Sequence, residues 1–116
     1  KTEPIEGVNF VTRKFESDDV DRMIQTASQL VKEEPNTVSV FYGADSKNAR
    51  IVVMAGKDAV KQGINAGEIA KETASVLGGG GSGRPDFAQG GGTLVKKLTE
   101  ALQKAAEVVR KQQEKE

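Results

Sequence analysis

Residues 78–92 read GGGGSGRPDFAQGGG, and the fold assigned to this chain turns on them. Eight of the fifteen are glycine, so no helix continues through the stretch. Three readings compete. A flexible linker is the first, but the inserted Arg84-Pro85-Asp86-Phe87-Ala88-Gln89 brings a rigid ring and a buried-type aromatic that a linker does not need. An anion-binding loop is the second: glycines admit positive φ, successive N–H groups form a concave nest, and Arg84 adds a forked donor set. Against it, no Lys-Ser/Thr pair follows as a phosphate-binding P-loop requires, and no acidic residue stands at a strand end suited to a dinucleotide's ribose. The third is close backbone packing. The glycines let a loop pass tightly over a sheet, Phe87 anchors it, Arg84 pairs with Asp86 across Pro85, and Asp86 caps a short turn running to Gln89. Residue chemistry alone favours this third reading, with a loop over 78–92.

Working outward, both flanks read as helix. On the N-terminal side Asn65 opens a helix, with Glu68 completing a capping-box pattern and Ala66, Ile69, Ala70, Thr73, Ala74 and Leu77 on its inner face. On the C-terminal side a terminal helix is predicted over 93–113, with an apolar stripe of Leu94, Val95, Leu98, Leu102, Ala105, Ala106 and Val109. Its small residues, Ala101, Ala105 and Ala106, suit close packing on a sheet or on a second copy. Further upstream, Val8–Phe15 is rich in Val, Phe and Thr and reads as a strand behind an entry segment, 1–7. Ser17 and Asp18 are N-cap candidates for a helix with Val20, Met23, Ile24, Ala27, Leu30 and Val31 at helical spacing, which Pro35-Asn36 ends. Strands over 37–42 and 51–55 flank the turn chemistry of 43–48, and 56–63 is a polar, lysine-bearing connection. The sum is an α/β fold: a mixed β-sheet with packed helices and a long C-terminal helix, residues 1–116 forming a single domain.

Composition narrows the chemistry. There is no cysteine and no histidine, so no disulfide framework, thiolate metal site, Ser-His-Asp set or imidazole base can be built. Carboxylate pairs such as Asp18/Asp19 and Glu33/Glu34 fall at helix ends, where capping and solvation account for them. Seventeen basic residues balance seventeen acidic ones, so the bulk basic footprint of a nucleic-acid binder is missing and any polyanion site has to be a local patch. Arg13, Lys14, Lys47, Arg50, Lys57 and Lys61 lie in or beside predicted strands and loops. The first residue is Lys1 rather than Met, as expected of a fragment of a longer protein.

With glycines at 78–81, then Gly83, Arg84, Pro85, Asp86, Ala88, Gln89 and glycines at 90–92, the segment resembles the signature near the end of alanyl-tRNA synthetases. Ser82 stands where a glycine is common. The hairpin VSVFYGADSKNARIVVMAG, the helix that follows it and the terminal helix extend the resemblance over about the whole chain. The C-Ala domain to which the resemblance points is part of the DHH-associated superfamily, shared with DHH phosphoesterases, whose glycine loop commonly carries a histidine that is missing here. The resemblance implies a non-catalytic tRNA-binding and assembly domain that links aminoacylation and editing on alanine tRNA. It implies a cytoplasmic parent, no cofactor in this fragment (ATP, Mg and Zn being used by the parent), contacts with other domains of the same synthetase, a homodimer as a further partner state, and no membrane. The expected tRNA contacts are Arg84, Gly80, Gly81, Gly83, Lys57, Lys61, Lys47 and Arg50. Pro85, Asp86, Phe87, Gln89, Gly90, Gly91 and Gly92 are expected to shape the motif. Three alternatives stay open: the substrate-binding module of a DHH-type phosphoesterase acting on short oligonucleotides, a homodimerisation or structural module, and the tail of a free-standing alanyl-tRNA editing protein.

Overall fold

The computed structural model describes residues 2–16 and 19–114. The sheet begins with β1 (Thr2–Ile5), β2 (Val8–Phe15), β3 (Thr37–Ala44) and β4 (Ala49–Ala55), and the glycine segment supplies β5 (Gly80–Gly83) and β6 (Phe87–Gly92). The helices are α1 (Val20–Glu33), the short α2 (Lys57–Lys61), α3 (Ala66–Val76) and α4 (Leu98–Gln113), the last entered through a 3-10 turn at Val95–Lys97. Strand order is β1-β2-β3-β4-β6-β5. β2 and β3 run parallel and the other neighbours antiparallel. A parallel pair needs a crossover, and α1 provides it. The mixed sheet, packed helices and long terminal helix agree with the sequence reading.

Three of its assignments differ from the structure. Part of the entry segment 1–7 is the edge strand β1. Part of the polar connection 56–63 is α2. The terminal helix starts at Leu98 rather than at 93, because Leu94 leaves the stripe and is 44% exposed. The proposed caps Ser17 and Asp18 lie outside the described residues; Asp19 stands at the N-cap of α1 without a side-chain cap bond.

The largest difference is the glycine segment itself. It is a β-hairpin, not a loop, so Asp86 does not begin a capped turn through Gln89; Phe87–Gly92 is strand. β6 pairs with β4 on one side and β5 on the other, with Gly91 opposite both Arg50 and Gly80. Glycine has low strand propensity, and packing overrides it here. α3 lies so close over the hairpin that side chains on that face would collide with backbone. A Cβ on Gly81 would sit 2.6 Å from the Ala70 carbonyl oxygen, one on Gly67 of α3 would sit 2.8 Å from the Gly83 carbonyl oxygen, and one on Gly92 would overlap the Leu77 carbonyl.

The hairpin also closes both ends of α3. At the N-terminus Ala66 N–H donates to the Pro85 carbonyl (2.8 Å) and Gly67 N–H to that of Arg84 (3.1 Å). Asn65 Oδ1 accepts from Glu68 N–H at 3.1 Å. Three of the four orphan donors of that terminus are thereby satisfied. At the C-terminus Gly78, with φ +76°, makes the left-handed step of a Schellman ending: its N–H donates to Ser75 and that of Gly79 to Ala74, both at 3.0 Å.

Alternation along the strands builds two cores. Val38, Val40, Ile51, Val53 and Ala88 face α3 and α4. Phe15, Phe41, Val52 and Met54 face Met23 and Ala27 of α1, with Phe87 half-buried at the margin. Phe87 therefore anchors the hairpin, as the sequence suggests, on the α1 side.

Close approach makes the glycines unequal. Gly81→Ala should destabilise by about 1–3 kcal/mol, the usual range for overpacking. Gly80→Ala, whose Cβ would meet nothing within 4 Å, should leave the urea midpoint unchanged or raise it. Equal midpoints for the two variants would refute the packing account.

Candidate nucleic-acid interface

α1 covers β3 and β4 on its side of the sheet and stops there. The β6–β5 wing beside it is bare: Gln89, Ser82 and Gly80 are exposed and Gly91 is half-buried. Register places these residues in two cross-strand rows, Arg50–Gly91–Gly80 and Val52–Gln89–Ser82. The first row carries one long side chain and then none, so this part of the sheet presents flat backbone. Alternate residues face opposite ways; Gly81, Gly83, Gly90 and Gly92 therefore lie on the α3 side.

The expected tRNA contacts are divided by this geometry. Gly81 and Gly83 are on the packed face, where their lack of side chain serves the fold. Gly80 is on the bare face, exposed, with open space where a Cβ would stand. The glycine N–H groups do not gather into an anion nest beside Arg84. Arg84 N–H donates to the Phe87 carbonyl at 2.8 Å, and Gly83 pairs with Ala88. Because the carbonyls of Arg84 and Pro85 occupy the first amides of α3, that helix terminus is not an open phosphate site either.

The basic candidates fall at opposite ends of the sheet. Arg84 sits on the hairpin turn beside the end of β4, where Ala55 N–H donates to the Asp86 carbonyl at 2.9 Å. Its Nε lies 3.4 Å from Asp86 Oδ1, the pairing expected across Pro85, but the two side chains are 73% and 62% exposed. An exposed pair of this kind contributes about 0–1 kcal/mol. The guanidinium also stands 6.0 Å from the Phe87 ring centre, the outer limit of a cation–π contact. Lys57 and Lys61 are carried by α2 at this same end, off the bare wing. Lys47 and Arg50 belong to the other end, about 17 Å away along β4 at ~3.3 Å per residue. There Asn48, Arg50 and Gly90, Gly91 and Gly92 line an open recess of about 340 Å³.

One carboxylate fixes that second end. Asp45 Oδ1 accepts from the N–H groups of Lys47 and Asn48, both at 2.8 Å, closing the β3–β4 turn. Those two bonds hold the Asp45 carboxyl below its ordinary range, with smaller help from the Arg50 and Lys47 charges. Sequence reasoning marked this stretch as turn chemistry without identifying Asp45 as its clasp; an Asx followed two residues on by a free amide is the signal that finds it.

The chain matches a model of the DHHA1 domain over residues 7–111. It is 42% identical over 112 residues to an alanine--tRNA ligase of Acetivibrio thermocellus, which spans 97% of this chain and 13% of the ligase. With an alanine--tRNA ligase of Methanococcoides burtonii it shares 36% identity over 110 residues, 95% of this chain and 12% of that protein. Among solved structures it is similar to the C-Ala domain from Aquifex aeolicus alanyl-tRNA synthetase, with TM-score 0.86, 27% identity, and coverage of 95% of this chain and 98% of that one. The chain thus spans only about an eighth of the length of the curated relatives it matches.

The lowered pKa of Asp45 has a defined sign. The ionised clasp contributes its full stabilisation above the ordinary aspartate range and loses it as pH falls through the lowered value. A carboxyl-carbon NMR titration should place the Asp45 midpoint below that of aspartate in an unfolded peptide. A midpoint at or above the peptide value would remove the clasp from the account.

Proposed function

The chain belongs to the DHHA1 domain family, and from that premise we propose that it is the tRNA-binding and assembly domain of an alanine--tRNA ligase, holding alanine tRNA while aminoacylation and editing are carried out by other domains. The observation that supports this most directly is the bare β6–β5 wing. Without side chains at Gly80 and Gly91, an RNA base pair or ribose edge can approach the backbone closely, and RNA helices offer a wide, shallow minor groove and exposed ends for such shape-based contact. The relatives that cover the chain at 36% and 42% identity are ligases, which favours a ligase parent over an oligonucleotide phosphoesterase.

Catalysis is assigned to residues outside this chain. It has neither His nor Cys, and among the described residues no group of three or more Asp or Glu side chains could hold a metal ion. On this reading the zinc and magnesium–ATP chemistry belongs to the other domains of the ligase, and no step is assigned to this chain. No helix among the described residues is long and apolar enough to cross a membrane, and a cytoplasmic setting follows from the ligase reading alone. For the assembly role, the supporting feature is a groove of about 540 Å³ between the sheet and α4, where Phe10, Tyr42, Leu102 and Ala106 are flanked by polar residues that include Glu3 and Lys14. It suits an amphipathic segment of the same synthetase or of a second copy.

Fluorescence anisotropy with an alanine tRNA transcript tests the RNA reading. The chain should bind at low salt and release as salt rises. Gly80→Val should weaken binding about tenfold, equivalent to about 1.4 kcal/mol, while the urea midpoint holds. No binding at low salt, or unchanged binding in a folded Gly80→Val variant, would defeat the reading.

A further inference from the structure

The bare wing has charge at both ends, and the two ends are not equivalent. At the Arg84 end the guanidinium is paired with Asp86, and its neighbour α2 alternates Lys57 and Lys61 with Asp58. At the other end, among the described residues, Arg13, Arg22 and Arg50 make no ion pair, as Lys57 and Lys61 make none, but they offer guanidiniums rather than ammonium groups. Arg50 shares its row not only with Gly91 and Gly80 but, in the opposite direction, with Gly43 and Phe15. Arg13, two residues before Phe15 and on the same face, lays its guanidinium 4.7 Å over the Phe15 ring. Stacking on a ring fixes the direction of an otherwise mobile side chain. Arg22, in the first turn of α1, joins Arg13 in a recess of about 520 Å³ that opens beside the end of β3.

Among the described residues none of Arg13, Arg22 and Arg50 has a carboxylate within ion-pair distance. Glu16 and Asp19 line the same recess, but they make no ion pair with these guanidiniums. The nearest acid to Arg50 in the turn, Asp45, is occupied by two backbone amides. Among the described residues these three guanidiniums are thus free of ion pairs, and a guanidinium is the donor type suited to bidentate capture of phosphate oxygens. Strand spacing of ~4.8 Å puts β2 and β4 about 10 Å apart and β4 and β5 about 10 Å apart. Arg50 and the glycine floor thus share one open cross-strand row, while Arg13 and Arg22 stand beyond Gly43, which the Glu16 carbonyl and the Met23 side chain cover.

The geometry points to a directed footprint: a phosphate backbone of double-helical RNA crosses the β3–β4 turn end, gripped by Arg50, Arg22 and Arg13, and delivers the adjoining helix surface onto Gly91 and Gly80. This inference rests on the RNA-binding reading above and adds which end of the sheet carries the charge. It also explains how a chain with no net charge attracts a polyanion. The cations that matter are gathered at one end and, among the described residues, make no ion pair, while Arg84, Lys104 and Lys111 each have a carboxylate partner.

Salt titrations of alanine tRNA binding decide it. A phosphate contact adds about one to the slope of log affinity against log salt concentration. Arg50→Gln and Arg22→Gln keep much of the side-chain bulk and remove the charge. Each should lower the slope by about one and weaken binding to unrelated RNA duplexes as much as to alanine tRNA. Lys57→Ala combined with Lys61→Ala should leave the slope as it is. Circular dichroism and urea midpoints confirm that every variant is folded. An unchanged slope in folded Arg50→Gln and Arg22→Gln, with the loss appearing instead in the α2 double variant, overturns the directed footprint and leaves the RNA-binding reading standing. A wild-type chain that fails to bind at low salt overturns both.

Discussion

Everything distinctive in this fold depends on α3 resting directly on the backbone of the β5–β6 hairpin. Helices normally ride on a sheet with side chains between them. Here the Ala70 carbonyl lies where a Cβ of residue 81 would stand, and the Gly83 carbonyl where a Cβ of residue 67 would stand. The absence of side chains on both partners allows that approach. It also brings the hairpin turn within reach of the helix terminus, so that the carbonyls of Arg84 and Pro85 accept from its first amides. Proline at 85 removes a donor at a place where only acceptors are wanted. The Arg-Pro-Asp run is thus first a structural part: its carbonyls serve α3 and β4, and its side chains are left on the surface.

The same contact explains why a segment of low strand propensity forms strands at all. Glycine loses more backbone freedom on ordering than any other residue, at a cost of about 0.5–1 kcal/mol each relative to alanine. Four features oppose that loss here: pairing with β4, whose Val52 and Val53 are fully buried, pairing within the hairpin, burial of Ala88, and anchoring of Phe87. Remove the neighbouring β4 and α3, and residues 80–83 would have no reason to be extended.

Legibility in the sequence followed the range of the interactions. α1, β2, β3, β4 and α3 were readable because their signals are local: helical spacing of apolar residues, β-branched runs, the Asn65 cap. Close packing of the glycines, the anchoring of Phe87 and the Arg84–Asp86 pair were readable as well, since they follow from what those residues lack or carry. The hairpin was not. Its strand character comes from partners far along the chain, and glycine offers no pattern of its own to alternate. β1 escaped for a similar reason: Thr2–Ile5 is extended because β2 is beside it. In the candidate site, the split of the basic residues between two ends of the sheet depends on antiparallel register. Lys47 and Lys57 are ten residues apart in sequence and look equivalent until β4 separates them.

Alternation then gives the glycines two distinct meanings. On the α3 face Gly81, Gly83, Gly90 and Gly92 meet neighbouring atoms that a Cβ would strike, so the fold alone accounts for them. On the other face Gly91 is held by the Ala49 carbonyl of the adjacent strand, which again is a demand of packing. Gly80 is different: its φ lies outside the left-handed region, its Cβ would meet nothing, and a β-branched residue there would stiffen an edge strand. Stability gives no reason for glycine at that position. A residue whose smallness the structure does not use is where a partner's requirement becomes visible, and it stands at the far end of the row that runs from Arg50 through Gly91.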